Sequence, residues 1–142
     1  MEYEAKATIE APADLVWEIL TDAAGYTRWD SGVDKLEGQI VAGQKIKLFS
    51  KVNPKRAFSL KVAVTEPTRV MTWASGMPLG LFKGIRTFTL VGTKPAQTSF
   101  VMHEVFSGPM LGMVSKKMPD LQPSFDQFAA GLKAEAEARA GG

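Results

Sequence analysis

The sequence predicts an α+β fold in which a curved antiparallel sheet of seven strands lies against a long C-terminal helix. Six strand-like runs follow one another between Val33 and Phe106, and the short turns between them favour antiparallel pairing. Helical patterns are confined to the stretch after the first strand and to the C-terminal end, which is typical of α+β folds. Because a long helix laid across a curved sheet can enclose a cavity, this arrangement indicates a ligand.

The composition is that of one ordinary globular domain, which we expect to span residues 1–142. The net charge is +2, and the basic residues are scattered apart from small clusters at 51–56 and 116–117, so no nucleic-acid partner is expected. The absence of cysteine excludes disulfides and thiol catalysis. No apolar run is long enough to span a membrane, and the acidic N-terminus is unlike a secretory signal. We therefore expect a cytoplasmic protein.

The N-terminal elements follow from their apolar spacing. Tyr3, Ala5, Ala7 and Ile9 alternate with polar residues and predict a half-buried strand. A helix should open around Pro12, with Asp14 at the positive end of its dipole and an apolar face formed by Leu15, Val16, Ile19 and Leu20. Residues 23–29 predict a second short helix or turn.

The middle of the chain reads as successive strands. We expect them at 33–40, 45–52, 58–64, 70–75, 85–91 and 98–106, with turns at 66–69 and 93–96. Residues 76–82 form an apolar loop without the Lys-Ser/Thr pair of a phosphate-binding loop, and we interpret it as the entrance to the cavity.

The C-terminal stretch predicts a helix with a break. Phe125, Phe128, Ala129, Leu132 and Ala136 share one helical face, and Leu111, Val114, Met118 and Leu121 carry a similar stripe upstream. Because a proline inside a helix removes a hydrogen bond and clashes with the preceding turn, we expect a break near Pro119 and a regular helix from about Gln122.

Three parts of the sequence carry a family resemblance. They are the phrase from Ile9 to Trp17 (IEAPADLVW) with Asp22 and Trp29 after it, the run Gly84–Phe88, and the stretch from Thr98 to Gly108 with the closing helix. In these features the chain resembles the START-like, or SRPBCC, superfamily of lipid-transfer domains and polyketide cyclase/dehydrase-type proteins. The resemblance implies a helix-grip fold with a deep apolar pocket, and it leaves open whether a member binds, transports or converts its ligand.

The last two strands predict a charged pair inside that pocket. A register with Leu90 opposite Phe100 places Arg86 opposite Glu104, and it turns Phe106 inward and His103 outward. The pair could recognise a polar group of the ligand or act as an acid and base, or it could be a purely structural ion pair. The opposite parity would instead turn His103 inward as the acid/base candidate.

The candidate site residues are mostly aromatic or methionine, which suit a pliable apolar pocket. The ligand-binding candidates are Trp29, Phe58, Trp73, Arg86, Phe88, Phe100, Met102, Glu104, Phe106, Met113, Phe125 and Phe128. Glu104, Arg86 and His103 are the weak catalytic candidates. A single histidine without companions at ligand spacing predicts no metal site, and no cofactor motif is present.

Three functions fit these observations. The first is binding or transport of a small hydrophobic molecule, lipid- or polyketide-like, by a monomer or weak homodimer. The second is a cyclase or dehydratase acting on a polyketide or aromatic substrate. The third is a protein-interaction module that uses residues 76–82 and 110–118.

Overall fold

The seven strands form one antiparallel sheet, as predicted, in the order β1-β7-β6-β5-β4-β3-β2. The structure, a computed structural model, describes residues 1–141. The strands are β1 (Glu2–Ile9), β2 (Val33–Glu37), β3 (Lys45–Ser50), β4 (Asn53–Glu66), β5 (Val70–Gly76), β6 (Lys83–Lys94) and β7 (Gln97–Ser107). The helices are α1 (Ala13–Thr21), α2 (Leu111–Ser115) and α3 (Gln122–Gly141), with short 3₁₀ helices at Ala23–Thr27 and Pro78–Gly80. The predicted fold class is therefore confirmed.

Several strand boundaries differ from the sequence-based expectation, most of all the start of β4; β3 ends at Ser50 rather than at 52, and β6 spans Lys83–Lys94 rather than 85–91. β2 ends at Glu37 rather than at 40, because Gly38 turns the chain with a φ of +97°. β4 begins at Asn53 rather than at 58, and Asn53 pairs with Ser50 at the end of β3. Residues 53–59 are exposed on both faces. A period-two burial pattern cannot reveal such a stretch, since neither face of it is apolar and covered.

The predicted register of the last two strands is confirmed. Leu90 pairs with Phe100, and Arg86 pairs with Glu104. Alternate residues of β7 from Thr98 to Phe106 are buried, whereas His103 lies on the outer face. A shift by one residue would have moved every one of these side chains to the other face of the sheet.

The break before the terminal helix is also confirmed, although it begins earlier than expected. α2 ends at Ser115, so residues 116–121 leave the helical path before Pro119 is reached. α3 then starts at Gln122 with Pro123 in its first turn, where a missing backbone N–H costs nothing. Its buried face contains Phe125, Phe128, Ala129, Leu132 and Ala136, as the spacing predicts.

The C-terminal helix is tied mainly to one side of the sheet. α3 packs closely on β1 and also contacts α1 and β7. Lys133 Nζ donates to the Thr8 carbonyl and to Glu137 Oε2, each at 2.6 Å, and the Glu10 N–H donates to the same Glu137 oxygen at 2.9 Å. The Glu10 hydrogen bond, followed by that from Lys133, lowers the pKa of Glu137. These bonds anchor α3 over β1, while β3 to β5 form the opposite wall.

The core occupies one end of the space between sheet and helix. α1 covers the end where β6 and β7 turn, and the Thr98 hydroxyl donates to the Ala11 carbonyl there at 2.7 Å. Apolar side chains fill this end, among them Ile9, Val16, Leu20, Leu90 and Leu132. No helix within residues 1–141 is both long and apolar enough to cross a membrane.

Candidate ligand-binding cavity

A cavity of about 760 Å³ lies at the other end, between α3 and the inner face of the sheet. Its volume is within the range of sites that hold small organic ligands. β3, β4 and β5 form one wall, α3 forms the other, and α2 with the loop after β5 borders the mouth. The predicted residues on its wall are Phe58, Trp73, Arg86, Met102, Glu104, Phe106, Met113, Phe125 and Phe128.

The four remaining candidates do not line this cavity. Trp29, Phe88 and Phe100 are buried in the aromatic layer behind it. His103 lies on the outer face of the sheet, where its Nε2 is 2.6 Å from Glu2 Oε2. The inward parity that would have made His103 an acid/base candidate is therefore wrong, because the pairing with β6 directs the even-numbered residues inward.

The aromatic layer separates the cavity from the packed core. Phe128 lies at its centre, with ring centroids 5.2 Å from Trp29, 5.8 Å from Phe88 and 6.3 Å from Phe100. Trp73 packs edge-on against Phe88 at 4.7 Å. Phe88 and Phe100 thus support the rings of Phe128 and Trp73 that face the cavity, and they fix the depth of the cavity floor.

Tyr26 belongs to the same layer and is structural. It is fully buried, and its hydroxyl donates to the Leu20 carbonyl at 2.6 Å. Burial raises the pKa of the Tyr26 phenol far above its usual range, with a smaller opposing effect from the charge of Arg86. The phenol therefore stays neutral and cannot act as a proton donor or acceptor at physiological pH.

Arg86 and Glu104 form the charged pair that the sequence predicts. Arg86 Nε donates to Glu104 Oε1 at 2.8 Å, and the side chains are 23% and 9% exposed. The guanidinium also lies 4.6 Å from the centroid of the Phe125 ring on α3. Cation–π contact of this kind stabilises a partly desolvated arginine. The pair therefore bridges the sheet and the helix at the wall of the cavity.

The pair keeps hydrogen-bonding capacity for a ligand. Within residues 1–141 the Nε–Oε1 bond is its one side-chain hydrogen bond, so the terminal nitrogens of Arg86 and Oε2 of Glu104 remain available. Gly84 makes room for this geometry, because a Cβ there would lie 2.9 Å from Glu104 Oε2 and 2.8 Å from the Phe106 ring. A donor group and an acceptor oxygen are thus presented side by side.

A second unused hydrogen-bond donor is buried beside the cavity. Trp73 lines the cavity and is buried, and its Nε1 has no hydrogen-bond partner within the described part of the chain. A buried N–H without an acceptor costs about 1–3 kcal/mol.

Sequence reasoning missed a polar set on the wall and a cationic one at the mouth. The polar residues are Ser31, Ser50, Asn53, Ser59, Ser75 and Ser124, and the cationic ones are Arg56 and Lys117. Ser75 could have been found, because it lies two residues after Trp73 on the same strand face. The others depend on how distant segments meet, and no local pattern indicates them.

A second depression, of about 480 Å³, lies between β1 and α3. It is open to solvent and lined by Ala5, Ala7, Ala129, Ala130 and four polar residues. It contains no converging pair of unsatisfied polar groups comparable to Arg86 and Glu104, so the enclosed cavity is the better candidate site.

The helix-grip architecture and the cavity define the chain as a START-like domain. The sequence model of the family "Polyketide cyclase / dehydrase and lipid transport" matches residues 1–137, and the chain belongs to this family. The superfamily assignment made from the sequence is thereby confirmed. A comparison with curated protein sequences found no match.

Solved structures share the fold at low sequence identity. The aromatase/cyclase Zhui from Streptomyces sp. R1128 is 20% identical with a TM-score of 0.74, over 98% of this chain and 94% of that one. A START superfamily protein from Mycobacterium smegmatis is 14% identical with a TM-score of 0.71, over 97% and 98% of the two chains. The di-domain aromatase/cyclase BexL of the BE-7585A biosynthetic pathway is 14% identical with a TM-score of 0.72, over 96% of this chain and 46% of that one. At these identities the similarity establishes the fold alone.

Proposed function

We propose that this protein binds and carries a small, largely apolar molecule in the cavity between α3 and the sheet. The observation that supports this most directly is the volume of about 760 Å³ that the side chains of helix and sheet leave open. A packed core leaves few voids larger than a water molecule, so an opening of this size lined mostly by apolar side chains favours a bound ligand.

The ligand should carry a polar group at one end. Aromatic and methionine side chains form most of the wall and adapt to different apolar shapes. The free nitrogens of Arg86 can donate to a carbonyl, phenolate or carboxylate oxygen. Glu104 Oε2 can accept from a neighbouring hydroxyl. A lipid- or polyketide-like molecule with adjacent oxygen substituents fits both demands.

Filling the cavity tests the proposal. Ser75→Leu adds apolar volume on the inner face of β5, and Thr72→Leu makes a similar change on the outer face of the same strand. We expect the wild type and the Thr72 variant to bind an apolar fluorescent probe such as 1-anilinonaphthalene-8-sulfonate, and the Ser75 variant to bind it at least about tenfold more weakly, since the probe loses space in the pocket.

Two results would contradict the proposal. One is equal probe binding by both leucine variants, which would place the probe outside the cavity. The other is the absence of any co-purified or added apolar ligand in native mass spectra of the wild type.

A cyclase or dehydratase activity is the second candidate, and the Arg86–Glu104 pair favours it. Glu104 could remove a proton next to a ligand carbonyl, while Arg86 stabilises the oxyanion that develops. The family name includes cyclases and dehydrases. Glu104→Gln should then abolish turnover of a poly-β-ketone substrate and leave probe binding in place. Unchanged turnover would remove Glu104 from the mechanism.

A further inference from the structure

Three segments of the chain form the rim of the cavity. They are residues 50–57, which form the turn after β3 and the start of β4, residues 76–83, which run from the end of β5 to the start of β6, and residues 107–119 around α2. The second and third are joined directly, because the Met110 N–H donates to the Leu81 carbonyl at 2.9 Å. We call these three segments the mouth rim.

The mouth rim exposes apolar side chains on each segment. Leu79 is 97% exposed, Val52 is 73% exposed and Met113 is 57% exposed. Val52 and Met113 border the cavity, whereas Leu79 does not line it. Each of the three segments thus presents one large apolar side chain to the solvent.

Leu79 is also held in an unfavourable backbone conformation. Its φ is +61° and its ψ is +21°, in the left-handed region that a bulky residue rarely occupies. Glycine or asparagine would adopt this conformation at lower cost. At 97% exposure the side chain contributes almost nothing to packing, so packing within the domain does not explain the strained conformation.

The charge of the mouth rim is entirely positive. The three segments contain six of the 17 Lys and Arg residues and none of the 15 Asp and Glu residues, which leaves 11 basic and 15 acidic residues elsewhere. The six are Lys51, Lys55, Arg56, Lys83, Lys116 and Lys117. In a protein with a net charge of only +2, the three segments thus carry six positive charges and no negative charge, and Arg56 and Lys117 among them line the cavity.

We propose that the mouth rim docks on the surface of an anionic lipid bilayer, with the opening of the cavity against the headgroups. Separate apolar tips can enter the boundary between headgroups and acyl chains, while basic residues between them contact anionic headgroups. The inference rests on the proposed function. In this position an apolar ligand passes between bilayer and cavity without crossing water, so the hydrophobic cost of that transfer is avoided.

A bilayer fits these observations better than an acidic protein partner does. The exposed apolar residues stand on three different segments around an opening, not on one continuous face. A fluid bilayer surface can accommodate apolar side chains that are separated from one another, whereas a protein interface needs a packed apolar centre. If the vesicle experiments show no preference for anionic lipid, an acidic protein becomes the expected partner of the mouth rim.

The apolar contribution is tested by vesicle flotation with the whole chain. We expect binding to phosphatidylcholine vesicles that contain phosphatidylserine and much weaker binding to phosphatidylcholine alone. Leu79→Asn keeps a residue that tolerates the backbone conformation and should lower the partition coefficient about tenfold. Val91→Thr, at an exposed position near the other end of β6, should leave it unchanged.

The electrostatic contribution is tested with two double variants. Lys55→Gln/Lys116→Gln should weaken binding to the anionic vesicles about 25-fold, since each basic residue near such a surface contributes about fivefold. Lys45→Gln/Lys94→Gln removes the same charge at the opposite end of the sheet and should change binding less than about twofold. Wild-type binding should fall as added salt shortens the Debye length from about 10 Å at 0.1 M to about 3 Å at 1 M.

The outcomes separate this inference from the proposed function. The probe-binding assay is carried out without vesicles, so it tests the cavity alone. Normal probe binding with no preference for anionic vesicles would overturn membrane docking and point to an acidic protein as the occupant of the rim. Equal weakening by both lysine double variants would also overturn it, because net charge rather than the mouth rim would then be responsible.

Discussion

Breaking the Arg86–Glu104 pair should destabilise the protein far more than breaking an equally short ion pair on the surface. Arg86→Met removes the donor 2.8 Å from Glu104 Oε1 and leaves a carboxylate that is only 9% exposed without a partner. Removing one member of a buried pair costs about 3–5 kcal/mol. We expect about 3 kcal/mol here, because Arg86 is 23% exposed and water in the cavity can reach the site.

The second half of the prediction concerns the double variant. Arg86→Met/Glu104→Met removes both charges and places two flexible apolar side chains in an apolar wall. Replacing a buried ion pair by hydrophobic residues is often neutral or stabilising. The double variant should therefore unfold within about 1 kcal/mol of the wild type, and it should lose the polar selectivity of the cavity.

Equilibrium unfolding in urea, followed by far-ultraviolet circular dichroism, measures these differences. Arg139→Met is the matched control, since Arg139 Nε is 2.7 Å from Glu135 Oε2 in a more exposed pair one turn apart on α3. Exposed helix pairs contribute about 0.3–0.5 kcal/mol. The reasoning fails if Arg86→Met costs less than about 1 kcal/mol, or if the double variant is as unstable as the sum of the two single ones.

Three further predictions concern the rest of the fold. Gly131→Ala should destabilise the protein by about 1–3 kcal/mol, because its Cβ would lie 1.9 Å from the Asp30 carbonyl oxygen, whereas Gly112→Ala, with open space around it, should be neutral or stabilising; thermal denaturation compares the two. Burial raises the pKa of Tyr26, so the contribution of its neutral phenol to the free energy of unfolding is complete below about pH 10. Above that pH the free energy of unfolding should fall by about 1.4 kcal/mol per pH unit. Tyr26→Phe should remove that slope from alkaline unfolding curves, and an unchanged slope would refute the assignment. The pKa of Glu137 is lowered from 4.5, so its contribution is present above that pH and is lost on further acidification. Glu137→Gln should therefore lower the melting temperature at neutral pH, with the difference from the wild type disappearing in acid.

Patterns of local origin were predictable from the sequence. The inward residues of β7 and the buried face of α3 follow from fixed side-chain periods of two and about 3.6 residues. A helix break near Pro119 follows from the missing N–H of proline, although its start at residue 116 was not predicted. The pairing of Arg86 with Glu104 was predictable because a short turn and one buried face restrict the register of a hairpin.

The division of the aromatic residues between core and cavity wall was not predictable. Trp73 on β5 pairs with Arg86, and Phe88 on β6 pairs with Met71, and both aromatic side chains point inward. Only the side chain of Trp73 reaches the cavity. Which ring reaches it depends on the position of Phe128 on α3, and periodicity carries no information about the distance between two elements.

The sequence by itself determined which residues share a face of each strand and helix and where the last helix begins, because these properties depend on neighbours a few positions apart. The tertiary structure alone decided that α3 anchors over β1 and leaves space in front of β3 to β5. It also brought Arg56 and Lys117, which lie 61 positions apart in the chain, to the lining of one cavity. Both outcomes depend on contacts between segments far apart in the chain, and such contacts are set by how whole elements pack.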